Sequence, residues 1–243
     1  MSFIGEIRDL ILNTPKEKLF RDTCFGWMLD IPKMQESGVL VHYFICHQVP
    51  CEEGDTDLVP LRYRVRDLDR VGEVEIQFGR EEFCLVTGLR FGIDFSQSYE
   101  DGPNFFRRRV FPSSTDSRNI HVGRLFRTIK SKDFSKFSDI DGVRLCLLGV
   151  LMLVLKGSES NNVVDGFLFR LVEDLDRWNV YPWGSYLWPT LYDNLRDAAI
   201  DRRAKHFSEE RDPHKPPKYT LNGFVWAFKV CHLSISKVHV NVY

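Results

Sequence analysis

Two phenylalanines followed by three arginines form the segment with the clearest binding chemistry: Phe105, Phe106, Arg107, Arg108 and Arg109. Guanidinium groups form paired hydrogen bonds with phosphates and carboxylates, and aromatic rings stack on nucleic-acid bases or anchor a protein partner. The segment lies within residues 94–119, which are rich in Ser, Asp, Gly and Pro and show no clear periodicity. We therefore predict a binding site for nucleic acid or a protein partner on a long irregular segment.

A second short basic run contains Arg202, Arg203 and Lys205, within a charged stretch, residues 202–218, for which we predict a flexible loop. Either basic run is also suited to a nuclear import signal. The whole chain has 33 basic and 34 acidic side chains and a net charge of -1, which disfavours a globally basic nucleic-acid binder. A solvated surface therefore stays an alternative interpretation of both runs.

Metal ligands are the next chemistry that the sequence suggests. His42 and Cys46 are four residues apart, which places both side chains on one face of a helix. Zinc sites usually contain two cysteines separated by two residues, and no pair of cysteines here has that spacing. Small buried residues on an amphipathic helix explain the same pattern, so we predict no bound metal. The other ligands considered are His47, Cys51, Cys231 and His232.

Catalytic chemistry has weaker support. A nucleophilic cysteine needs an accessible, electropositive site with a base nearby, whereas Cys84 lies between Phe83 and Leu85. Acidic pairs in helices and turns usually complement a helix dipole or form a solvated face. The sequence contains no glycine-rich phosphate loop, no Gly-x-Ser-x-Gly and no His-Glu-x-x-His. We predict no catalytic residue, no cofactor and no enzymatic activity. The acidic pairs considered are Glu81 with Glu82, Asp67 with Asp69, and Asp174 with Asp176.

The composition is that of a folded intracellular protein. Hydrophobic residues make up 43% of the 243-residue chain and nineteen residues are Phe, which predicts a core built on aromatic packing. The six cysteines are scattered along the chain, which favours reduced thiols. The N-terminus carries charges too early for a secretory signal. The longest apolar run, residues 145–155, is shorter than the roughly 20 residues that span a bilayer, so we predict a buried core helix and no membrane contact.

Residues 73–92 combine three structural signals. Val74, Ile76 and Phe78 alternate with polar residues, which is the pattern of a half-buried strand. Gly79 ends this strand, a short helical pattern follows, and Gly88 predicts the end of the helix. Residues 58–65 also alternate, so the two strands are expected to pair in a hairpin.

Helical periodicity covers much of the remaining chain. We predict helices within residues 15–30, 39–49, 121–130, 138–156, 163–178 and 185–202, with apolar character returning over 219–230. The predicted fold class is therefore mainly α with a small antiparallel β-sheet or hairpin (α+β), in a single compact domain over residues 1–243.

Three sequence blocks resemble a plant family known as domain of unknown function nineteen-eighty-five (DUF1985). They are FRDTCFGWMLDI at 20–31, FGREEFCLVTGLRFG at 78–92 and VEDLDRWNVYPWGSYLWPTLYDNL at 172–195. The resemblance covers residues 19–230, and the tail, residues 231–243, does not look like the family's continuation. Because of that tail, we expect a truncated gene product.

This resemblance implies a nuclear plant protein, derived in some members from a transposable element. In that family the domain typically lies upstream of a cysteine protease domain that resembles proteases of ubiquitin-like modifiers. Such a protease needs a cysteine followed by glycine, and none of the six cysteines here has that neighbour. We therefore expect a non-catalytic binding and recognition module without its covalently linked protease domain. The alternative is that the chain forms part of a cysteine-type deconjugating protease.

Overall fold

The computed structural model describes residues 2–31, 38–67, 72–112, 119–206, 221 and 223–231. These residues form two compact units, each made of two chain segments. Unit 1 comprises Met1–Met34 and Ile93–Pro182, and unit 2 comprises Gln35–Gly92 and Trp183–Tyr243. The single domain expected over residues 1–243 stays a prediction.

Unit 1 is built around one buried helix. Its helices are α1 (Ser2–Ile11), α2 (Pro15–Arg21), α5 (Phe105–Val110), α6 (Val122–Ile129), α7 (Asp139–Gly149), α8 (Gly166–Leu171) and α9 (Leu175–Val180). A two-stranded antiparallel pair, β3 (Ile120–His121) with β4 (Val163–Val164), and short 3₁₀ helices complete the described part of the unit.

Helix α7 confirms the predicted buried core helix. Leu145, Leu147 and Leu148 are fully buried, and α2 and α6 pack against α7. Gly149 permits close approach of α6, because a Cβ atom there would lie 2.7 Å from Ile129 Cδ1. A π-helical turn, Val150–Leu155, continues α7, and its side chains are also mostly buried.

Unit 2 contains a β-hairpin and an aromatic core. Strand β1 (Leu61–Asp67) pairs antiparallel with β2 (Gly72–Phe78), with Leu61 opposite Phe78. The helices are α3 (Gly38–Cys46), α4 (Arg80–Thr87) and α10 (Trp183–His206), and residues 225–231 are also helical. Phe228 packs on Phe44, Tyr63 and Phe78 with ring centroids 5.2–6.0 Å apart, which confirms the aromatic core.

The strand, the break and the helix expected within residues 73–92 are confirmed, but the half-buried strand is not: Val74 is 38% exposed, and Phe78 is the buried residue of β2. Strand β2 ends at Phe78, and the Gly79 backbone amide donates a hydrogen bond to Glu82 Oε2 at 2.7 Å, which stabilises the start of α4. Gly88 ends α4 with a φ of 68°, a left-handed conformation that glycine adopts readily. The predicted fold class, mainly α with a small antiparallel sheet, is confirmed.

Several predicted elements differ from the structure. The helix predicted over 15–30 is divided into α2 and a 3₁₀ helix, Gly26–Asp30. The irregular segment at 94–119 contains a 3₁₀ helix, Ser96–Tyr99, and helix α5, because the Asn104 side chain caps α5 by accepting a hydrogen bond from the Arg107 amide. The helix predicted over 163–178 is divided into β4, α8 and α9. Its interruption coincides with Asp174, whose carboxylate accepts from the Arg177 amide and begins a new helix.

Residues 202–206 belong to α10, so the predicted loop was wrong there; residues 207–218 of that prediction lie outside the described residues. The side chains of Arg202, Arg203 and Lys205 also lie outside them, as do Asp69, His232 and most of the tail. None of the helices that the structure describes is both long enough and apolar enough to cross a membrane.

Candidate functional site

Helix α5 is anchored by two buried side chains. Phe106 and Val110 are four residues apart and point into unit 1, where the Phe106 ring lies 6.3 Å from that of Phe169. Successive residues of a helix are rotated by about 100°, so Arg107 and Arg109 must lie on opposite flanks of this buried face. Arg108 then points away from the core, and it is exposed. The side chains of the predicted five-residue site therefore point to different sides of α5.

One flank of α5 forms a structural ion pair. Arg109 Nε and Nη2 each donate to one oxygen of Asp141, both at 2.9 Å. Arg144 Nη1 donates to Asp141 Oδ1 at 2.9 Å, and Arg144 also donates to the Val172 and Glu173 carbonyls. These charge-assisted hydrogen bonds, that from Arg109 above all, lower the pKa of Asp141 despite its burial. Arg109 thus forms an ion pair within the fold, while its side chain stays 49% exposed.

The other flank of α5 brings arginines together. Arg107 lies over the Phe169 ring at 5.9 Å and Arg124 over the Phe111 ring at 5.3 Å. The pKa of Arg107 is lowered, first by partial removal of the guanidinium from water and then by the charges of Arg170 and Arg124. Arg124 and Arg170 are therefore each close enough to Arg107 to repel its charge.

A surface pocket of about 500 Å³ adjoins these arginines at the start of α6. The backbone amides of Val122 and Gly123 already donate to the Asn162 and Ser160 carbonyls, so side chains rather than the helix terminus supply its donors. Its lining residues are His121, Gly123, Arg124, Phe126, Arg127, Ser160 and Asn161.

Arg124 connects the pocket to α5, because it lines the pocket and also lies close enough to Arg107 to affect its pKa. We refer to Arg107, Arg108, Arg124, Arg127 and Arg170 together as the cationic surface. Sequence analysis missed three of these residues. The i, i+3 spacing of Arg124 and Arg127 was a usable signal, because residues three apart share a helix face. Nothing local pointed to Arg170, which lies more than 60 residues from Arg107.

The aromatic residues of the predicted site differ in exposure. Phe106 is fully buried and serves the core, whereas Phe105 is 55% exposed. Phe105 shares a face of α5 with Arg108 and Arg109, three and four residues later, on the side of the helix away from Arg107. An exposed ring beside a guanidinium is the arrangement that stacks on a nucleic-acid base.

The acidic residues considered for catalysis include two that support helix termini. Glu82 accepts from the Gly79 amide at the start of α4, and Asp174 accepts from the Arg177 amide at the start of α9. Among the described residues, no group of three or more His, Cys, Asp or Glu side chains is arranged to hold a metal ion.

Two of the residues considered and rejected as metal ligands do meet. His42 and Cys46 lie one turn apart on α3, with 3.6 Å between Cys46 Sγ and His42 Nε2. Cys84, the cysteine weighed as a nucleophile, is half-buried in α4. The sequence spacing of His42 and Cys46 therefore predicted the contact correctly.

The comparisons with known proteins give one result. A family described as "Domain of unknown function (DUF1985)" matches residues 68–194, just over half of the chain. No curated protein and no solved structure matches the chain. The matched residues include α5 to α9 and therefore the whole cationic surface.

Proposed function

Since the chain belongs to the DUF1985 family, for which no function is described, we propose that it is a non-catalytic binding module that holds nucleic acid on its cationic surface. The observation that carries this proposal is the position of Arg107 and Arg124 over two neighbouring rings, Phe169 and Phe111, whose centroids lie 6.1 Å apart. The charge of Arg170 also acts on Arg107. Like charges held close together repel, and an anionic ligand lowers that repulsion. Phosphate groups compensate guanidinium charge with paired hydrogen bonds.

Exposure and hydrogen bonding support the same ligand class. Arg170 donates to the backbone carbonyls of Tyr99 and Glu100, so these contacts hold the guanidinium in place without neutralising its charge. The Phe105 ring supplies an apolar face near Arg108. A cationic surface combined with an exposed ring is typical of single-strand binding, in which bases stack while arginines contact the backbone.

The distribution of charge explains how a nearly neutral chain can carry such a surface. Other arginines are matched by carboxylates: Arg21 contacts Glu17 and Asp30 at 3.0 and 2.9 Å, and Arg80 contacts Asp57 at 2.7 Å. Net charge averages over these pairs and therefore hides a local excess of positive charge.

Fluorescence anisotropy with a labelled 20-nucleotide single strand tests the proposal. We expect binding that weakens with salt, because each phosphate contact releases a counterion. Arg107→Ala and Arg124→Ala should each weaken binding about fivefold, within the roughly 1–3 kcal/mol range of such contacts. Arg21→Ala is the matched control, since it removes one positive charge from an existing ion pair and should leave affinity unchanged.

Two results would overturn this assignment. The first is no binding of DNA or RNA at low salt. The second is equal loss of affinity in Arg107→Ala and Arg21→Ala, which would mean that only overall charge matters. Tighter binding of polyglutamate than of nucleic acid, with the same variant dependence, would assign the surface to an acidic protein partner instead.

The biological setting is proposed from the family resemblance. It supports a nuclear plant protein, in some members derived from a transposable element, whose full-length relatives carry a linked protease domain. The binding module would then hold a partner near that protease. A full-length transcript without a downstream His, Asp and Cys protease segment would contradict the linkage.

A second function is membership of a cysteine-type deconjugating protease, which the contact between Cys46 and His42 favours. The position of the pair argues against it. Cys46 is the last residue of α3, where the helix dipole disfavours a thiolate, whereas catalytic cysteines are often activated at helix N-termini. Turnover of a substrate linked to a ubiquitin-like modifier, with thiol-probe labelling of Cys46, would establish this function and overturn the non-catalytic one.

A further inference from the structure

The thiol of Cys46 has surroundings suited to covalent exchange. Its sulfur lies 3.6 Å from His42 Nε2, and the i, i+4 spacing on α3 keeps the two side chains together. An imidazole at this distance can accept the thiol proton, and the resulting imidazolium then stabilises the thiolate. This stabilisation opposes the helix dipole at the end of α3, which alone would favour the neutral thiol.

Cys46 also lines a pocket of about 230 Å³ that a small molecule can enter. Residues 47–49 leave α3 and pair with β1, because the Val49 amide donates to the Arg62 carbonyl and the Arg64 amide to the His47 carbonyl. The pocket forms over this pairing, and its lining residues are Cys46, His47, Gln48, Val49, Pro50, Arg64 and Glu73.

The charges of this pocket indicate the kind of molecule that fits it. The Arg64 side chain is 61% exposed. Its Nε atom lies 3.7 Å from Glu75 Oε2, which is a long distance for an ion pair. Its guanidinium can therefore also hold a carboxylate of an incoming molecule. Glu73 is the acidic residue among the described residues of the lining, and it suits the amino group of a zwitterionic ligand. A small peptide disulfide carries all three features: carboxylates, amino groups and an electrophilic sulfur.

We infer that Cys46 is a site of thiol–disulfide exchange with small peptide disulfides such as oxidised glutathione. His42 accepts the Cys46 proton, and the thiolate attacks one sulfur of the disulfide. A new sulfur–sulfur bond forms to Cys46, the original disulfide bond breaks, and the second glutathione leaves as a thiolate. The protein thiol is oxidised, the released glutathione is reduced, and no further oxidant is consumed.

Other thiols of the chain are less suited to this exchange. Burial raises the pKa of Cys231 to about 11, and it also raises the pKa values of Cys146 and Cys51. Cys24 Sγ lies 3.9 Å from the Trp178 carbonyl, a weak hydrogen bond that favours the protonated thiol. A thiol that stays protonated attacks disulfides slowly, so modification should concentrate at Cys46.

Time-resolved mass spectrometry tests this inference on the full chain. The protein is incubated with oxidised glutathione at pH 7.5 and quenched, and the mixed disulfide is quantified at each cysteine. We expect Cys46 to react first, and His42→Ala to slow its reaction about threefold. The factor is modest because a thiol with a lower pKa forms more thiolate, but that thiolate is a weaker nucleophile.

His47→Ala is the matched control. His47 lines the same pocket, but its Nδ1 hydrogen-bonds the Tyr43 carbonyl at 2.8 Å and its ring stacks on Tyr43, so its loss should not slow exchange. Equal rates in both variants and the unaltered protein would overturn the role of His42. Reaction at Cys46 no faster than at Cys84 would overturn the site.

The pH dependence of the Cys46 reaction rate tests the inference on the unaltered protein, so the test does not require His42→Ala to fold. In the unaltered protein the Cys46 rate should rise with pH less steeply than that of an ordinary cysteine, because His42 accepts the thiol proton. A rate that rises tenfold per pH unit up to about pH 8.5, as for an ordinary cysteine, would overturn the inference. This outcome is independent of nucleic-acid binding, since the cationic surface lies in unit 1 and Cys46 in unit 2.

Discussion

The two flanks of α5 use the same residue type for different purposes. On one flank, Arg109 donates both of its hydrogen bonds to the buried carboxylate of Asp141. On the other, the pKa of Arg107 is lowered, first by its partial removal from water and then by the charges of Arg170 and Arg124. Arginines only two residues apart therefore contribute to stability in one case and to a candidate binding surface in the other.

The difference teaches that a cluster of arginines is not a single functional unit. A guanidinium that is paired with a buried carboxylate is part of the fold, because separating the pair leaves a charge in a poorly solvated place. A guanidinium close to other guanidiniums is suited to binding an anionic ligand, since the ligand lowers the repulsion between the positive charges. Substitutions on the two flanks should therefore separate stability from binding.

The largest loss of stability is expected on substituting Asp141, the α7 carboxylate that pairs with Arg109. Asp141→Ala leaves Arg144 without its buried anion, and breaking such pairs costs about 3 kcal/mol when one partner is partly exposed. The Arg109 side chain is 49% exposed, which places the loss of unfolding free energy near the lower end of the range. Urea denaturation measures it. Asp133→Ala is the control, because its partner Lys136 is exposed and its loss should cost under about 0.5 kcal/mol.

Acid should reveal the same ion pair. The pKa of Asp141 is lower in the folded than in the unfolded chain, so the unfolded chain binds more protons in acid and stability rises with pH there. The contribution is complete above the unfolded value of about 3.9 and is lost as the pH falls through the folded pKa. The stability gap between the unaltered protein and Asp141→Ala should thus narrow below about pH 4. A gap that is constant down to pH 2 would contradict this origin.

Substituting the arginine on each flank of α5 in turn should give the next largest effects. Arg109→Ala should lower the free energy of unfolding by about 1–2 kcal/mol and leave the salt dependence of nucleic-acid affinity unchanged. Arg107→Ala should do the reverse: little change in stability, about fivefold weaker binding and a salt slope reduced by about one. Anisotropy titrations at several salt concentrations, with urea melts of the same preparations, compare them. Parallel losses in both assays would remove the distinction between the flanks.

Arg108 should show the smallest change in stability. It points away from the core, so Arg108→Ala is expected to alter the free energy of unfolding by less than about 0.5 kcal/mol. Its effect on binding should resemble that of Arg107→Ala. A large destabilisation would show that Arg108 has a structural contact and belongs with Arg109.

Elements with local causes were predictable from the sequence. The hairpin and α4 follow from alternation, a capping carboxylate and a glycine that adopts a left-handed conformation, all within twenty residues. The buried helix α7 was predictable because its residues are apolar on every side. The short helix α5 was not, since its six residues have no clear period and depend on the packing of Phe106 against Phe169.

The candidate site was predictable in chemistry but not in arrangement. The sequence identified Arg107, Arg108 and Phe105, and the spacing of His42 and Cys46 placed both on one helix face. It could not identify Asp141 as the partner of Arg109, 32 residues away, or bring Arg170 beside Arg107. Residues that interact across such separations meet only through the packing of α5, α6, α7 and α8.

By itself, the sequence determined the chemical groups, most of the helices and the hairpin, because capping, periodicity and glycine conformations act over a few neighbouring residues. The tertiary structure alone decided which arginine is neutralised by Asp141 and which ones face each other. The strength of a charge interaction depends on the distance between groups and on their removal from water, and folding sets both quantities.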